Sequence, residues 1–370
     1  MKRLLNILGL KKDNFEKYQS VLNKYKGTLS FDNPKYPKTI CDFLVFSWKL
    51  YRQGDYEKFI QAYRICLSHL ENLLGKSSSE HYLMAVNGLA NFGITFRMNG
   101  DYENAEELLK AFLIHHENIH GKVNHEYSRA LSELALTYEA LGKMSEAEKS
   151  YTSALEISKD IYGIESEEYG CILYNFADYY MNQKNFEKAE ELYIESLNIR
   201  RKVLGKNHYQ CAESLNNLAA IYELFQKDYN KAESCFDEAL EIAESNFGRN
   251  HINYLKISYN LALLCRKIKK WKKAESLLKN CINNSSNKHY IHTNSLNELA
   301  LLSIDTGCYD DAEYYSLKDL EFSEKNVGKY HPDYIISLET LAQVYEKSGK
   351  KDKALQTRKI ISSIKQGVNP

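Results

Sequence analysis

Residues 213–248, ESLNNLAAIYELFQKDYNKAESCFDEALEIAESNFG, decide the fold. Leu218, Ala219 and Tyr222 fall three to four residues apart, on one face of a helix. Ala232, Phe236, Ala239 and Leu240 repeat that spacing further on. Between the two stripes lies a polar break, Lys227-Asp228, and then Tyr229. Gly248 follows the second stripe, where a residue tolerant of the left-handed conformation stops a helix. The stretch therefore reads as two helices joined by a short turn.

The same unit recurs along the chain. Its second half opens at Tyr56, Tyr102, Met144, Phe186, Tyr229, Trp271, Tyr309 and Lys351, at spacings of 46, 42, 42, 43, 42, 38 and 42 residues. Three residues later stand Phe59, Ala105, Ala147, Ala189, Ala232, Ala274, Ala312 and Ala354. The small residue of the first half is Ser47, Gly93, Ala135, Ala177, Ala219, Ala262, Ala300 or Ala342. Helices of a hairpin cross closely only where neither presents bulk, so fixed small columns predict helix pairs rather than unrelated amphipathic segments. A fixed period of this length predicts a stacked array in which each repeat is supported by its neighbours.

The order Leu-Ala-x2-Tyr, then Ala-x3-Phe-x2-Ala, resembles the tetratricopeptide repeat (TPR). A period near 42 residues is similar to the long variant of kinesin light chains and many bacterial TPR proteins. Leu215 to Ala219, Ala189-Glu190, Leu204-Gly205 with His208, and Gly328 with His331-Pro332 carry that likeness. It covers residues 40–366 and implies an all-α fold: an α-solenoid of about eight helix-turn-helix TPR units forming a superhelix. Residues 1–37 are expected to be an N-terminal helical cap and loop, with a helix near 13–26 and a loop through Asn33-Pro34 and Tyr36-Pro37. Residues 38–366 form the solenoid and 367–370 a tail. The fifth repeat carries one extra residue near Leu224–Lys227, expected in the turn. The sixth is truncated near 283–287, where a polar run replaces its helix end.

Composition narrows the function. Lys+Arg and Asp+Glu balance at 49 each, which gives no electrostatic case for nucleic acid or an anionic membrane. Eight cysteines contain no CxxC pair, and Cys66 and Cys281 stand where sister repeats have Ala154 and Ala239. They read as small buried hydrophobes of a reduced compartment. The first ten residues resemble the start of a signal peptide but carry Asn6 in a short apolar stretch. Lys11-Lys12-Asp13 follows without a small-residue cleavage site, so a cytoplasmic protein is expected.

Three motifs invite chemistry. His116-Glu117-Asn118-Ile119-His120 is a literal HExxH, whose histidines share a helix face. It lies at the tail of a second helix, with only His81 and His125 as candidates for a third ligand, neither at matching spacing, and no sheet beside it, so no metal or cofactor is expected. Gly75-Lys76-Ser77 resembles the end of a phosphate-binding loop but lacks its earlier glycine. Residues 266–273 hold six basic side chains in eight, a solvated edge or a docking patch for an acidic partner. No catalytic constellation has supporting context, and the chain is expected not to be an enzyme.

The first helices are more informative, because the resemblance implies that they line the concave face. Two residues before the small column stand Asn91, Asn175, Asn217 and Asn260, with Val45, Glu133, Glu298 and Thr340 in the other copies. An asparagine amide both donates and accepts, so it either pairs with an extended peptide backbone or ties adjacent helices together. Arg97, Arg129, Tyr174, Lys256, Tyr259 and Arg266 share that face. The expectation is a partner-binding groove over repeats two to six. It would hold a peptide or helix of another protein with acidic and apolar side chains, with self-association open to the terminal repeats. A ligand-responsive sensor, whose superhelix tightens to control an effector, is the alternative. A motor cargo adaptor follows from the resemblance alone, and no heptad coiled coil precedes the repeats.

Overall fold

The computed structural model describes residues 14–28, 35–74, 79–285 and 290–366. These contain seventeen α-helices and no strand. Helix α1 (Asn14–Thr28) precedes eight hairpins: α2 (Lys35–Arg52) with α3 (Tyr56–Glu71), α4 (Glu80–Met98) with α5 (Tyr102–His120), α6 (His125–Ala140) with α7 (Met144–Tyr162), and α8 (Glu167–Asn182) with α9 (Phe186–Val203). Then come α10 (Tyr209–Ile221) with α11 (Tyr229–Phe247), α12 (Ile252–Lys267) with α13 (Trp271–Asn284), α14 (Tyr290–Asp305) with α15 (Tyr309–Val327), and α16 (Pro332–Lys347) with α17 (Lys351–Lys365). Every second helix starts at the residue expected from the sequence. The chain divides into two compact units, Met1–Tyr179 and Tyr180–Pro370, with the boundary inside α8. Gly75-Lys76-Ser77, the first 13 residues, residues 286–287 of the polar run and the tail lie outside the described residues.

The small columns sit where the helices meet. Ser47, Gly93, Ala135, Ala177, Ala219, Ala262, Ala300 and Ala342 are all buried, as is the alanine column opposite. A Cβ added to Gly93 would lie 2.8 Å from Leu109 Cγ, so even one methyl group crowds that crossing. In the first repeat Phe59 replaces alanine, and it packs between Tyr51, Phe92 and Phe96, with ring centroids 5.1–5.3 Å away. Helix α1 packs on this repeat, with Tyr18 stacked on Phe43 at 5.2 Å. The loop expected at Tyr36-Pro37 is helical instead. Pro37 falls in the first turn of α2, where its missing N–H leaves no bond unmade. Tyr36 Oη then reaches His69 Nδ1 at 2.7 Å inside the core. Tyr82 and His115 repeat the pair in the second hairpin, also at 2.7 Å.

Each hairpin turns on one left-handed residue two positions before the second helix. Gly54, Gly100, Gly142, Gly307 and Gly349 take φ of 72–82° there, and Lys184, Lys227 and Lys269 take 56–63°. The next residue donates its N–H to the carbonyl five positions back, as Lys143 does to Tyr138 (2.8 Å) and Lys270 to Cys265 (2.8 Å). In the fifth repeat Asp228 reaches six back, to Tyr222 (2.9 Å). The extra residue expected in the turn is instead absorbed by a π-helical stretch, Tyr222–Gln226, at the end of α10. One added residue is what an i→i+5 step accommodates, and the turn itself is unchanged. Second helices end at glycines such as Gly163 (φ 78°, ψ 171°) and Gly248 (φ 77°, ψ 167°). Their φ is positive as expected, but their ψ lies in the extended region open essentially to glycine rather than in the left-handed helical region.

Candidate functional site

The position two residues before the small column is a joint between successive first helices. In the second unit every copy is engaged. Asn217 Nδ2 donates to Tyr193 Oη (3.1 Å), and Asn216 Nδ2 donates to Asn217 Oδ1 (3.1 Å). Asn260 Nδ2 donates back to Asn216 Oδ1 across one repeat (3.0 Å). In the last repeat Thr340 Oγ1 donates to Asn297 Oδ1 (2.6 Å), the same geometry with a hydroxyl. Glu298 instead forms an ion pair with Arg266, Nε to Oε2 at 3.0 Å but without hydrogen-bond alignment. Burial pushes its carboxyl pKa up even though the guanidinium opposes this.

The first unit uses the position differently. Arg97 Nε donates to Glu133 Oε2 (2.9 Å), an ion pair equivalent to Arg266 with Glu298. Asn91 is exposed and Asn175 half-buried, and neither side-chain amide has a hydrogen-bond partner among the described residues. Asn175 lines a cavity of about 250 Å³ between α6 and α8, together with Arg129, Glu133, Glu167, Glu168 and the ring of Tyr162. Arg129 has no ion-pair partner among the described residues. The cationic points expected on this asparagine-lined face are therefore largely neutralised. Arg97 and Arg266 bind carboxylates of their own chain, and glutamates outnumber Arg129 on the cavity walls.

The remaining expected residues separate by unit. Tyr174 is half-buried on α8. Lys256 is exposed on α12 without a partner among the described residues. Tyr259 is half-buried, and burial followed by the neighbouring Glu298 pushes its phenol pKa up. The basic run 266–273 is mostly paired. Arg266 reaches Asp305 at 3.0 Å and Lys267 reaches Glu223 at 3.2 Å. Lys270 reaches Glu233 at 2.6 Å, and Lys273 reaches Asp237 at 2.8 Å. As a free docking patch it shrinks to Lys269 and Lys272. In the HExxH stretch, His116 is buried with its ring centroid 4.8 Å from that of His120, while Glu117 faces Lys122 at 3.3 Å. Among the described residues no group of three His, Cys, Asp or Glu side chains is placed to hold a metal.

The comparison with known proteins rests on this geometry. Residues 66–360 match the family described as the MalT-like TPR region. The chain belongs to that family. Its second helices recur every 38–46 residues, a longer period than the roughly 34 residues of the common TPR unit. No curated protein sequence matches it. Among solved structures, the apo form of RapI aligns at TM-score 0.61 and 15% identity, over 88% of this chain and 86% of that one. The apo form of the quorum sensor NprR from B. thuringiensis aligns at 0.57 and 17%, over 94% and 92%. TPR-like repeats of kinesin-light-chain type from Podosopora anserina align at 0.48 and 20%, over 52% and 92%. At these identities the likeness to RapI and NprR shows the fold alone. No helix among the described residues of this TPR chain is long and apolar enough to cross a membrane.

Two features of the TPR joints were legible only with coordinates. The pairing of Arg97 with Glu133 needs the relative rotation of successive first helices, although its repetition at Arg266 and Glu298 was a signal in the columns. His208 and His331, which helped carry the likeness, prove to be helix caps, and so does His251. His208 Nδ1 accepts from Gln210 N (3.4 Å), His251 from Asn253 N (3.2 Å) and His331 from Asp333 N (3.2 Å).

Proposed function

We propose that the chain is a non-catalytic protein-interaction scaffold that holds an extended partner peptide against the first-helix face of its first unit, on α4, α6 and α8. The observation that carries this reading is the contrast within one column. Asn217, Asn260 and Thr340 are tied into the array, whereas the amides of Asn91 and Asn175 are unpaired and one of them borders a cavity. An amide with both a free donor and a free acceptor matches the two groups of a peptide backbone. Arg129 supplies a partner for an acidic side chain, and Glu167 and Glu168 for a basic one. Affinity then comes from several modest contacts rather than one deep pocket. The reading takes the protein as cytoplasmic, with Cys66 and Cys281 buried at the position that Ala154 and Ala239 hold in sister repeats.

The test is affinity capture from the native host, with partners identified by mass spectrometry. It compares wild type, Asn91→Ala/Asn175→Ala/Arg129→Ala and Asn217→Ala/Asn260→Ala, with folding checked by circular dichroism. A partner lost by the first variant and kept by the second supports the reading. Equal capture by both variants and wild type overturns it. A ligand-responsive sensor is the second reading, supported by the description of one fold neighbour as a quorum sensor. Compaction of the ligand-bound protein in small-angle scattering would favour it over a rigid scaffold.

A further inference from the structure

The truncation of the sixth repeat leaves a cavity with a chemistry of its own. Helix α13 has 14 residues, whereas α11 and α15 on either side have 19 each. At about 1.5 Å per residue, α13 is roughly 7 Å shorter than its sisters. In α11 the final turn carries Phe247, whose ring stacks on His251 with centroids 4.3 Å apart. Beside the shortened end of α13, a cavity of about 480 Å³ opens between α13, the start of α14 and α15. Ile282, Leu296 and Leu299 give it an apolar floor, and Tyr315 and Phe322 an aromatic wall.

Its rim is cationic. Lys318 Nζ lies 4.4 Å from the ring centre of Tyr314 and has no carboxylate partner among the described residues, and neither does Lys325. Lys279 is held by Glu275 at 2.7 Å, and Glu321 is the single carboxylate on the lining. His292 adds no charge near neutral pH, because burial lowers its pKa from an already sub-neutral value. Lys318 and Lys325 are seven residues apart on α15, two turns along one helix face. The volume falls within the ~300–1,000 Å³ of ligand sites lined by apolar side chains with a few convergent polar groups. The cavity borders Ile282 and Asn283 at the end of α13, and α11 and α15 each run five residues longer than that helix. The protein's own residues 286–289, Ser-Asn-Lys-His, offer no bulky aliphatic side chain and add a further cation, so they match it poorly.

We propose that this cavity binds the C-terminal residue of a partner peptide, with a bulky apolar side chain against Leu296, Tyr315 and Phe322 and the terminal carboxylate at Lys318 and Lys325. The site lies in the second unit and is independent of the first-helix face of the first. The test uses the full chain and calorimetric titration with the tetrapeptide N-acetyl-Gly-Ser-Leu-Phe as the free acid, with its C-terminal amide as control. The free acid is expected to bind at least tenfold more tightly than the amide. Lys318→Gln/Lys325→Gln should lose that tenfold while its thermal melt matches wild type, and Phe322→Ala should weaken both ligands. Asn91→Ala/Asn175→Ala/Arg129→Ala should change nothing here, so failure of either site is read separately. Equal binding of acid and amide, no binding of either at millimolar concentration, or full binding by the double lysine variant would overturn the proposal. If N-acetylphenylalanine binds as tightly as the tetrapeptide, the ligand is a small aromatic acid, and the peptide assignment is wrong.

Discussion

The buried pair Tyr82–His115 makes the stability of the first unit pH-dependent in a calculable way. Burial raises the Tyr82 phenol to about 12, so it stays protonated and donates to His115 Nδ1. The imidazole must then be neutral, with its proton on Nε2. Burial lowers the His115 pKa from 6.5 to about 4. The native state therefore binds fewer protons than the unfolded chain between those values. Stability is fully present above about pH 6.5 and falls as the pH drops toward 4. One pKa unit is worth ~1.36 kcal/mol, so the loss from this residue alone reaches about 2 kcal/mol at pH 5. Other groups titrate in the same window, so the assay must be differential. The comparator is Tyr82→Phe/His115→Ile, which removes both polar partners and copies the buried Ile199 and Ile242 of sister repeats. Urea unfolding of both proteins at pH 7.5 and pH 5 gives four free energies. Wild type should lose about 2 kcal/mol more than the variant on acidification. An equal loss would show that His115 is protonated in the folded state, and the argument from burial would fail.

Other predictions follow from the turns and joints. Replacing Lys184, Lys227 and Lys269 together by glycine relieves a left-handed strain of roughly 1 kcal/mol or more per residue, against a loss of about 0.5–1 from the more flexible unfolded chain. A net gain of up to about 2 kcal/mol should appear as a higher urea midpoint for the second unit, and destabilisation would contradict it. Gly163→Ala must leave an essentially glycine-only region and should cost about 1–3 kcal/mol, readable by thermal melting. For Arg97 and Glu133, a double-mutant cycle with Arg97→Met and Glu133→Leu should give a coupling near 1 kcal/mol. A coupling indistinguishable from zero would mean that the contact holds no repeats together.

The fold was legible because helix crossings impose residue size. Ala219 and Ala232 are both fully buried, and the two small columns recur in every repeat except the first, where Phe59 replaces the alanine. Each departure from expectation has a local cause that columns do not encode. A single inserted residue near Leu224 has two lodgings, a longer turn or a π step. The left-handed turn, with its hydrogen bond from Asp228 to Tyr222, retains its form at the expense of the helix. Tyr36-Pro37 looked like a loop because proline usually ends helices, yet the first turn has no need of the proline N–H. The site was less legible, because one side-chain type serves two purposes at the same column. An asparagine on a first helix is equally able to meet its neighbour or a ligand, and only the surrounding partners decide. Asn217 has Asn216 and Tyr193 within reach, and Asn175 has no partner among the described residues.

That difference bears on where a stacked array can bind anything at all. Repeats cohere by nearest-neighbour contacts, so a polar side chain at the joint lowers the free energy of stacking when it finds its neighbour. In the second unit Asn217, Asn260, Glu298 and Thr340 all do so, and a ligand competing for them would have to weaken the array. In the first unit the Arg97–Glu133 pair joins α4 to α6, and the hydroxyl of Ser128 anchors α6 to α7 by donating to Ala154 O at 2.9 Å. Asn91 and Asn175 can therefore exchange solvent for a ligand without loosening a joint. The same logic places the second candidate site at α13, where a missing turn has already removed the stacking contact. On this argument binding concentrates where the repeat is locally incomplete, and Asn91→Ala/Asn175→Ala should leave the unfolding free energy from urea titration within about 0.5 kcal/mol of wild type, as expected for surface substitutions. Asn217→Ala/Asn260→Ala should lower it by about 1 kcal/mol per lost hydrogen bond. If the two variants were equally destabilised, the division of the column into joints and contacts would be wrong.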